Sequence, residues 1–350
     1  MRVLHIDSGR AYRGGQDQVR LLARELARQA GLEQRLVTKR GCELARRAAA
    51  AAVPVCEVPW TIGLDPRAWW SLIREANAFR PHIIHAHDGH ALGIATRTRS
   101  WLRDDGSRPR TIATRRVVFA VRRASSLFRA DCIVAISEAV QATLVAAGVP
   151  PAAIAVIPSG IDPDEVRAAA ARPLGIRSRL GLPAGTPLAV NVAALEPPKD
   201  QRTLLRAAHA ARAPHPDLHW AIAGEGELRR ALAAEIARLQ LADRVHLLGY
   251  ISEADALIRE ADVLVMSSQE EGLGSVVLHA LALGTPVVAT RGGGLPEIVP
   301  AEWLVPVGDA EALARKVLQA LDHPSPFPLP PQFTARAMAE GVLALYRSLI

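Results

Sequence analysis

Short apolar runs recur along the 350-residue chain, and between consecutive runs lies enough amphipathic sequence for one helix. In the first half the runs are Val3–Ile6, Gln34–Thr38, Ile83–His85, Thr111–Thr114, Cys132–Ile136 and Ala155–Ile157. In the second they are Leu188–Val192, His219–Ala223, Val245–Leu247, Val263–Met266, Pro286–Ala289 and Trp303–Val305. Helical patterns separate them, as in Gln18–Gln29, Pro66–Phe79, Glu138–Ala147, Gln201–Ala211, Glu227–Leu239, Ser252–Glu260, Ser275–Leu283 and Ala310–Leu321. Strands that must each be followed by a crossover helix pair in parallel, because an antiparallel neighbour needs only a short turn. The chain is therefore predicted to be α/β, built from doubly wound, Rossmann-like parallel sheets.

Three hundred and fifty residues exceed what one core of ordinary size holds. The turn-rich stretch Ser159-Gly160-Ile161-Asp162-Pro163 divides the chain, predicting a first domain over 1–164 and a second over 165–328. A proline-rich connector, HPSPFPLPPQ, then leads to a last helix, 333–350, expected to pack back on the first domain. Two such sheets would face each other across a shared cleft, each offering the crevice at the carboxyl ends of its strands.

Charge separates the halves further. The net charge is +7, but residues 1–165 hold 24 basic and 16 acidic side chains, a balance of +8, and the rest is nearly neutral. Arginines concentrate at Arg108, Arg110, Arg115, Arg116, Arg122, Arg123 and Arg129. As a group they point to an anionic partner: a phosphorylated substrate, an acidic lipid surface or, least favoured, nucleic acid. Aromatic residues make up only 4% and no nucleic-acid-binding motif is present. Three cysteines without metal-ligand spacing argue against a disulfide scaffold or a zinc site. MRVLHIDSG resembles a strand and turn more than a signal peptide, and no apolar run approaches the ~18 residues of a membrane span. The expected location is cytoplasmic, with peripheral contact to the inner face of an anionic membrane.

The chemistry concentrates in SSQEEGLGSVVLHALALG, residues 267–284. A strand ends, a glycine-bearing loop follows, and a helix begins near Ser275. Gly272 and Gly274 admit a ligand close to the backbone, and the helix N-terminus offers amides and positive dipole to a diphosphate. Glu271 would be repelled by phosphate, so its expected partners are sugar hydroxyls beside it. Lys199, one of three lysines against 39 arginines, lies in a loop stiffened by Pro197 and Pro198 and suits a phosphate. Gly14-Gly15-Gln16, Gly224-Glu225-Gly226 and Arg291-Gly292-Gly293-Gly294 also follow strands. In HIIHAHDGH, His87 or His90 lies at a strand end where a ligand is reachable. A metal at His85, His87 and Asp88 is not favoured, because adjacent strand positions point to opposite faces and no third ligand is evident.

The order and spacing of GGQ, IAISEAV, VIPSGID, the Lys199 loop, IAGEGELR, the segment EADVLVMSSQEEGLGSVVLHALALGTPVVAT and GGLPEIV resemble a family-4 glycosyltransferase of the GT-B fold over nearly the whole chain. The resemblance implies transfer of a hexose-type sugar from a nucleotide-diphosphate donor, with retention of anomeric configuration and no metal or other cofactor. Donors would bind the second domain, and a cell-envelope glycan, lipid-linked or other hydroxyl acceptor the first. It implies catalytic roles for Glu271, Lys199 and His87. Donor contacts would come from Gly14, Gly15, Lys199, Gly224, Gly272, Leu273, Gly274 and Ser275. Arg115 and Arg116 are candidates for the acceptor or a phosphate.

Three positions depart from the family pattern. His279 stands where a second glutamate usually grips the ribose; an imidazole can replace it with one neutral nitrogen as acceptor. Ala194 stands where an arginine usually precedes the lysine, and Ser159 replaces an asparagine. These changes keep open a non-catalytic or degenerate sugar-nucleotide-binding protein. A GT-B sugar-nucleotide epimerase is the other alternative, although its acid and base residues are not identifiable.

Overall fold

The computed structural model describes residues 1–60, 65–102, 108–122 and 125–350. Arg123 lies outside them. The chain divides into two compact units, one of Met1–Ile161 with Pro331–Ile350 and the other of Asp162–Pro330.

Unit 1 begins β1 (Arg2–Ile6), α1 (Gly14–Ala27), β2 (Glu33–Lys39), α2 (Glu43–Ala50), β3 (Val55–Val58), α3 (Pro66–Phe79) and β4 (Ile83–Ala86). It continues through α4 (Gly89–Arg99), β5 (Arg110–Arg115), β6 (Cys132–Ala135), α5 (Glu138–Ala146) and β7 (Ile154–Val156). The strands form one parallel sheet in the order β3-β2-β1-β4-β5-β6-β7. All four residues of β4 and of β6 are buried, as expected where helices cover both faces of a parallel sheet.

Unit 2 contains α6 (Pro163–Ala169), α7 (Ile176–Arg179), β8 (Leu188–Val192), α8 (Gln201–Ala211), β9 (His219–Ala223), α9 (Arg229–Arg238) and β10 (Val245–Gly249). After them come α10 (Ala254–Glu260), β11 (Val263–Met266), α11 (Ser275–Leu283), β12 (Val287–Thr290), β13 (Leu304–Val305) and α12 (Ala310–Asp322). Its sheet is also parallel, in the order β10-β9-β8-β11-β12-β13. Both units are therefore doubly wound, the α/β architecture the alternation predicted.

The chain returns to unit 1 through α13 (Ala335–Ser348), whose Met338, Val342, Leu343 and Tyr346 share a core with Leu22 and Leu26 of α1 and Ile83 of β4. The return is fastened by backbone: Ile161 N–H donates to Phe333 O at 2.9 Å and Ala335 N–H to Ile161 O at 2.7 Å. Gly160 is obligatory there, because a Cβ would collide with the carbonyl of Thr334. The Gln18 amide bonds both the N–H (3.1 Å) and the C=O (2.8 Å) of Gly160.

The structure differs from the sequence reading in several elements. Helix α1 starts at Gly14, so Gly14 and Gly15 form its first turn instead of a loop before it. The short edge strand β3 carries a glutamate that hides its alternation. In α4 two glycines dilute the helical signal, and the helix is fixed instead by its Asp88 cap and by buried Ala91, Leu92, Ile94 and Ala95.

Candidate functional site

In each sheet the strand order reverses once, between β1 and β4 in unit 1 and between β8 and β11 in unit 2. Ligands of open α/β sheets bind at the carboxyl ends of strands beside such a reversal. The sequence-predicted residues gather at these two places.

In unit 2, the loop after β8 carries Lys199 and the loop after β11 carries Glu271. The Lys199 Nζ lies 2.5 Å from Glu271 Oε2, and both side chains are largely withdrawn from solvent, at 22% and 14% exposure. Backbone ties hold the two loops side by side. Gln269 N–H donates to Pro198 O at 2.8 Å, and the Ser267 hydroxyl donates to Lys199 O at 2.9 Å. Asp200, in the left-handed region at φ 43°, caps α8 through Thr203 and accepts from the Gln269 amide at 3.0 Å.

Glu271 leads through Gly272 and Leu273 to Gly274, the residue before α11. Gly274 has φ 99°, and a Cβ there would stand 2.7 Å from a Leu295 methyl, so glycine alone fits without displacement. No side chain caps α11, and with Val277 N–H turned back to Gly274 O at 2.9 Å it is the amides of Ser275 and Val276 that are left to water or a ligand. Leu273 is buried and can offer a ligand only its backbone, whereas Ser275 is half-exposed. The glycines Gly292–Gly294 press against the backbone of residues 268–273, and Gly294 N–H donates to Glu271 O at 2.9 Å. This brace under Glu271 is a role that the sequence reading of the triple glycine lacked. Gly224, half-buried after β9, has a packing reason of its own, since a Cβ would strike the carbonyl of Ala193.

His279 projects from α11, two turns beyond Glu271 in sequence, and its Nδ1 lies 2.6 Å from Asp255 Oδ1 of α10. An ionised carboxylate can only accept, so Nδ1 carries the proton and Nε2 keeps its lone pair in the neutral ring. Nothing in the sequence marked Asp255, which lies 24 residues earlier on another helix. At Ala194 the backbone carbonyl accepts from the Gln201 amide at 2.9 Å.

In unit 1, His5 of β1 and His85 of β4 are direct register partners, and His87 lies two residues beyond His85, on the same face of the strand. The His5 Nδ1 lies 3.0 Å from His87 Nε2, and the His85 nitrogens meet the hydroxyls of Tyr346 (2.5 Å) and Thr114 (2.6 Å). The three rings are buried. This corrects the sequence reading, which had set adjacent strand positions on opposite faces and found no third ligand: alternation puts His85 and His87 on one face, and the neighbouring strand adds His5. One nitrogen of each ring lies within 4.8 Å of the others, so the trio could contact a metal. The hydrogen bonds already made, and the Arg116 guanidinium 3.4 Å from His87 Nδ1, instead suit three neutral imidazoles. Burial drives all three below their ordinary range, His5 to about 4.

Arg116 is likewise no solvated surface charge. It donates to His87 O at 2.8 Å, and burial lowers it to about 10 against the pull of Asp7 and Asp88. Burial and then the charge of Asp88 raise the Asp7 carboxyl. Gly15, on the first turn of α1, packs beside the Arg116 stem, bringing Gly15, Arg116 and His87 together; Gly14 next to it is exposed. Arg115 points elsewhere, donating to Phe119 O. Asp88 caps α4 and accepts from Ser8, while His90 is exposed on α4.

Residues 175–338 match the family model described as glycosyl transferases group 1, and residues 12–165 the one described as glycosyltransferase family 4. A 2-deoxystreptamine glucosyltransferase of Streptomyces kanamyceticus is 33% identical over 217 residues, 60% of this chain and 56% of that protein. The amylovoran biosynthesis glycosyltransferase AmsK of Erwinia amylovora is 30% identical over 221 residues, 60% of this chain and 52% of its own. The chain thus spans about half the length of these curated relatives. Among solved structures, Anabaena Alr3699/HepE in complex with UDP and glucose superposes with a TM-score of 0.81 at 19% identity. That match covers 99% of this chain and all of the other, and it speaks for the fold.

Proposed function

The chain belongs to the group 1, family-4-like glycosyltransferases of the GT-B fold, and from that premise we propose that it transfers a hexose-type sugar from a nucleotide-diphosphate donor to a hydroxyl acceptor. The Lys199–Glu271 pair under the open N-terminus of α11 carries this reading. Lys199 and the first amides of α11 stabilise the departing diphosphate, supplying the positive charge without a metal. Glu271 exchanges Lys199 for the hydroxyls of the donor sugar. In the retaining course that goes with the family, the acceptor attacks on the face from which the phosphate leaves, and a phosphate oxygen takes its proton. His87, expected from the sequence to reach a ligand, is instead buried with Nε2 on His5 and Nδ1 facing Arg116, so both ring nitrogens are engaged and its part is to hold Arg116 in place rather than to touch the sugar. Gly14 and Gly15 present the amides of the first turn of α1.

A uridine nucleotide is the favoured donor carrier, since UDP and glucose occupy the structurally similar Anabaena protein. The favoured acceptor is a cell-envelope glycan, in keeping with the relative named for amylovoran biosynthesis, or a lipid-linked sugar, and the proposed place of action is the cytoplasm. A mass-spectrometric screen of UDP-, GDP- and ADP-sugars against glycan and lipid-linked acceptors tests the proposal. It expects a product one hexose heavier, with loss of a nucleoside diphosphate.

One observation favours a second reading, a sugar-nucleotide-binding protein that does not turn over. Ala194 leaves Lys199 as the nearby side-chain cation, and His279 replaces a carboxylate. Titration calorimetry showing donor binding, with no hydrolysis and no transfer to any acceptor, would decide for it.

A further inference from the structure

We propose that the outer face of α3, together with Trp101, seats the protein on an anionic lipid surface. This gives the predicted membrane contact a definite location, and vesicle binding can succeed or fail independently of sugar transfer.

The sequence of α3, PRAWWSLIREANAF, turns Ala68, Leu72, Ile73, Ala76 and Phe79 inward. Outward, at helical spacing, stand Arg67, Trp70 and Arg74. Trp70 is 61% exposed, and Trp101, just past the end of α4, is 62% exposed. Trp69 joins them, with its ring 6.3 Å from that of Trp70 and edge-on to Trp101 at 5.5 Å. Half of the six tryptophans of the chain thus form one cluster at the surface.

Among the described residues 65–102 the exposed charge has one sign. Between residues 65 and 102 the exposed charged side chains are Arg67, Arg74, Arg80 and Arg97. The carboxylates of the same described stretch are turned to internal partners. Asp65 caps α3 through Arg67 N–H at 3.0 Å, Glu75 pairs with Arg35, and Asp88 caps α4. Over this stretch the large exposed apolar side chains are the two tryptophans, with no leucine, isoleucine or valine among them.

Indoles are placed where an apolar phase meets water, and guanidinium groups beside them attract anionic headgroups. Tryptophan and arginine also mark protein interfaces, so it is the one-signed exposed charge of the described stretch beside the indoles that points to an anionic lipid surface. A groove of about 490 Å³ lined by Trp70, Ser71, Ile73, Arg74 and Asn77 opens on the same face and gives a headgroup or chain segment room beside an arginine.

The test uses the full chain with phosphatidylcholine vesicles, alone or mixed with phosphatidylglycerol, at low and high salt. The wild type should sediment with the mixed vesicles at low salt and stay free of the neutral ones. R67A/R74A/R97A should weaken binding by roughly five-fold for each arginine removed. Brominated lipid should quench wild-type tryptophan fluorescence and leave W70A/W101A unquenched. These side chains are exposed, so all forms should melt alike. Failure of the wild type to bind mixed vesicles, equal binding to neutral ones, or wild-type affinity and quenching in both variants overturns the proposal. Trp70-dependent self-association without vesicle binding would assign the face to a protein contact instead.

Discussion

His279 Nδ1 on α11 lies 2.6 Å from a carboxylate oxygen of Asp255 on α10. In the neutral ring the pair sets the tautomer: Asp255 holds the proton on Nδ1, so that Nε2 is the acceptor offered in the place of a glutamate. Asp255→Ala should therefore raise the donor KM while leaving kcat within about two-fold, since the ribose contact proposed for His279 would be equally present in ground and transition states. His279→Glu should retain or improve donor affinity. Long-range nitrogen-15 spectra of the histidines should show the Nδ1–H tautomer at His279 and lose it in Asp255→Ala; an unchanged tautomer would disprove the role of Asp255.

Lys199→Ala removes the cation proposed for the leaving diphosphate and strands Glu271, whose side chain is only 14% exposed. Turnover should fall by about 10²–10³-fold, the range typical of losing one preorganised donor to a developing anion. Steady-state kinetics measure it, and normal turnover would remove Lys199 from the mechanism.

Tyr346→Phe deletes the hydroxyl that meets His85 Nδ1 at 2.5 Å inside the core. An orphaned buried imidazole nitrogen costs about 1–3 kcal/mol, so the urea midpoint should drop with little change in slope. An unaltered midpoint would mean that the Tyr346 hydroxyl adds nothing to the hold on α13.

The histidine trio also predicts how stability follows pH. Burial depresses the pKa of His5, His85 and His87, so below the ordinary 6.5 the unfolded chain binds protons that the native chain refuses, in the case of His5 down to about 4. Unfolding free energy should therefore be fully present above pH 6.5 and fall as pH drops toward 4. The slope is at most ~1.4 kcal/mol per pH unit for each histidine. Denaturation series across this window should show the fall, and His5→Gln should flatten it; a level profile in the wild type would contradict neutral burial.

Gly274→Ala places a Cβ against Leu295 at a left-handed φ of 99°. It should cost about 1–2 kcal/mol of stability, measurable as a lower melting temperature. An unchanged melting temperature would show that the loop before α11 readjusts freely.

Much of this was legible in the sequence because parallel strands advertise themselves. β11 is an unbroken apolar run and β8 and β9 are apolar but for Asn191 and His219, all three with the stated bounds, and the glycine-bearing loop before α11 sits where strand and helix patterns leave it. What escaped depends on distance along the chain. Asp255 and His279 are 24 residues apart on different helices, and His5 and His85 are 80 apart, brought opposite only by the register of β1 and β4. Tyr346, 261 residues from His85, looked like one more apolar position on a terminal helix. Periodicity reports which face of an element is buried, and it is silent on which buried polar groups will meet.

The docking of α13 into unit 1 has a consequence for synthesis. The ribosome makes the seven strands of unit 1 first, but the helix that supplies Tyr346 and covers Leu22, Leu26 and Ile83 emerges only after all of unit 2 has been translated. Unit 2, continuous from Asp162 to Pro330, can complete its core while unit 1 still exposes an apolar groove and an unpaired His85. Order of translation and order of completion are thus reversed, and it is the first-made half that spends longest in need of protection.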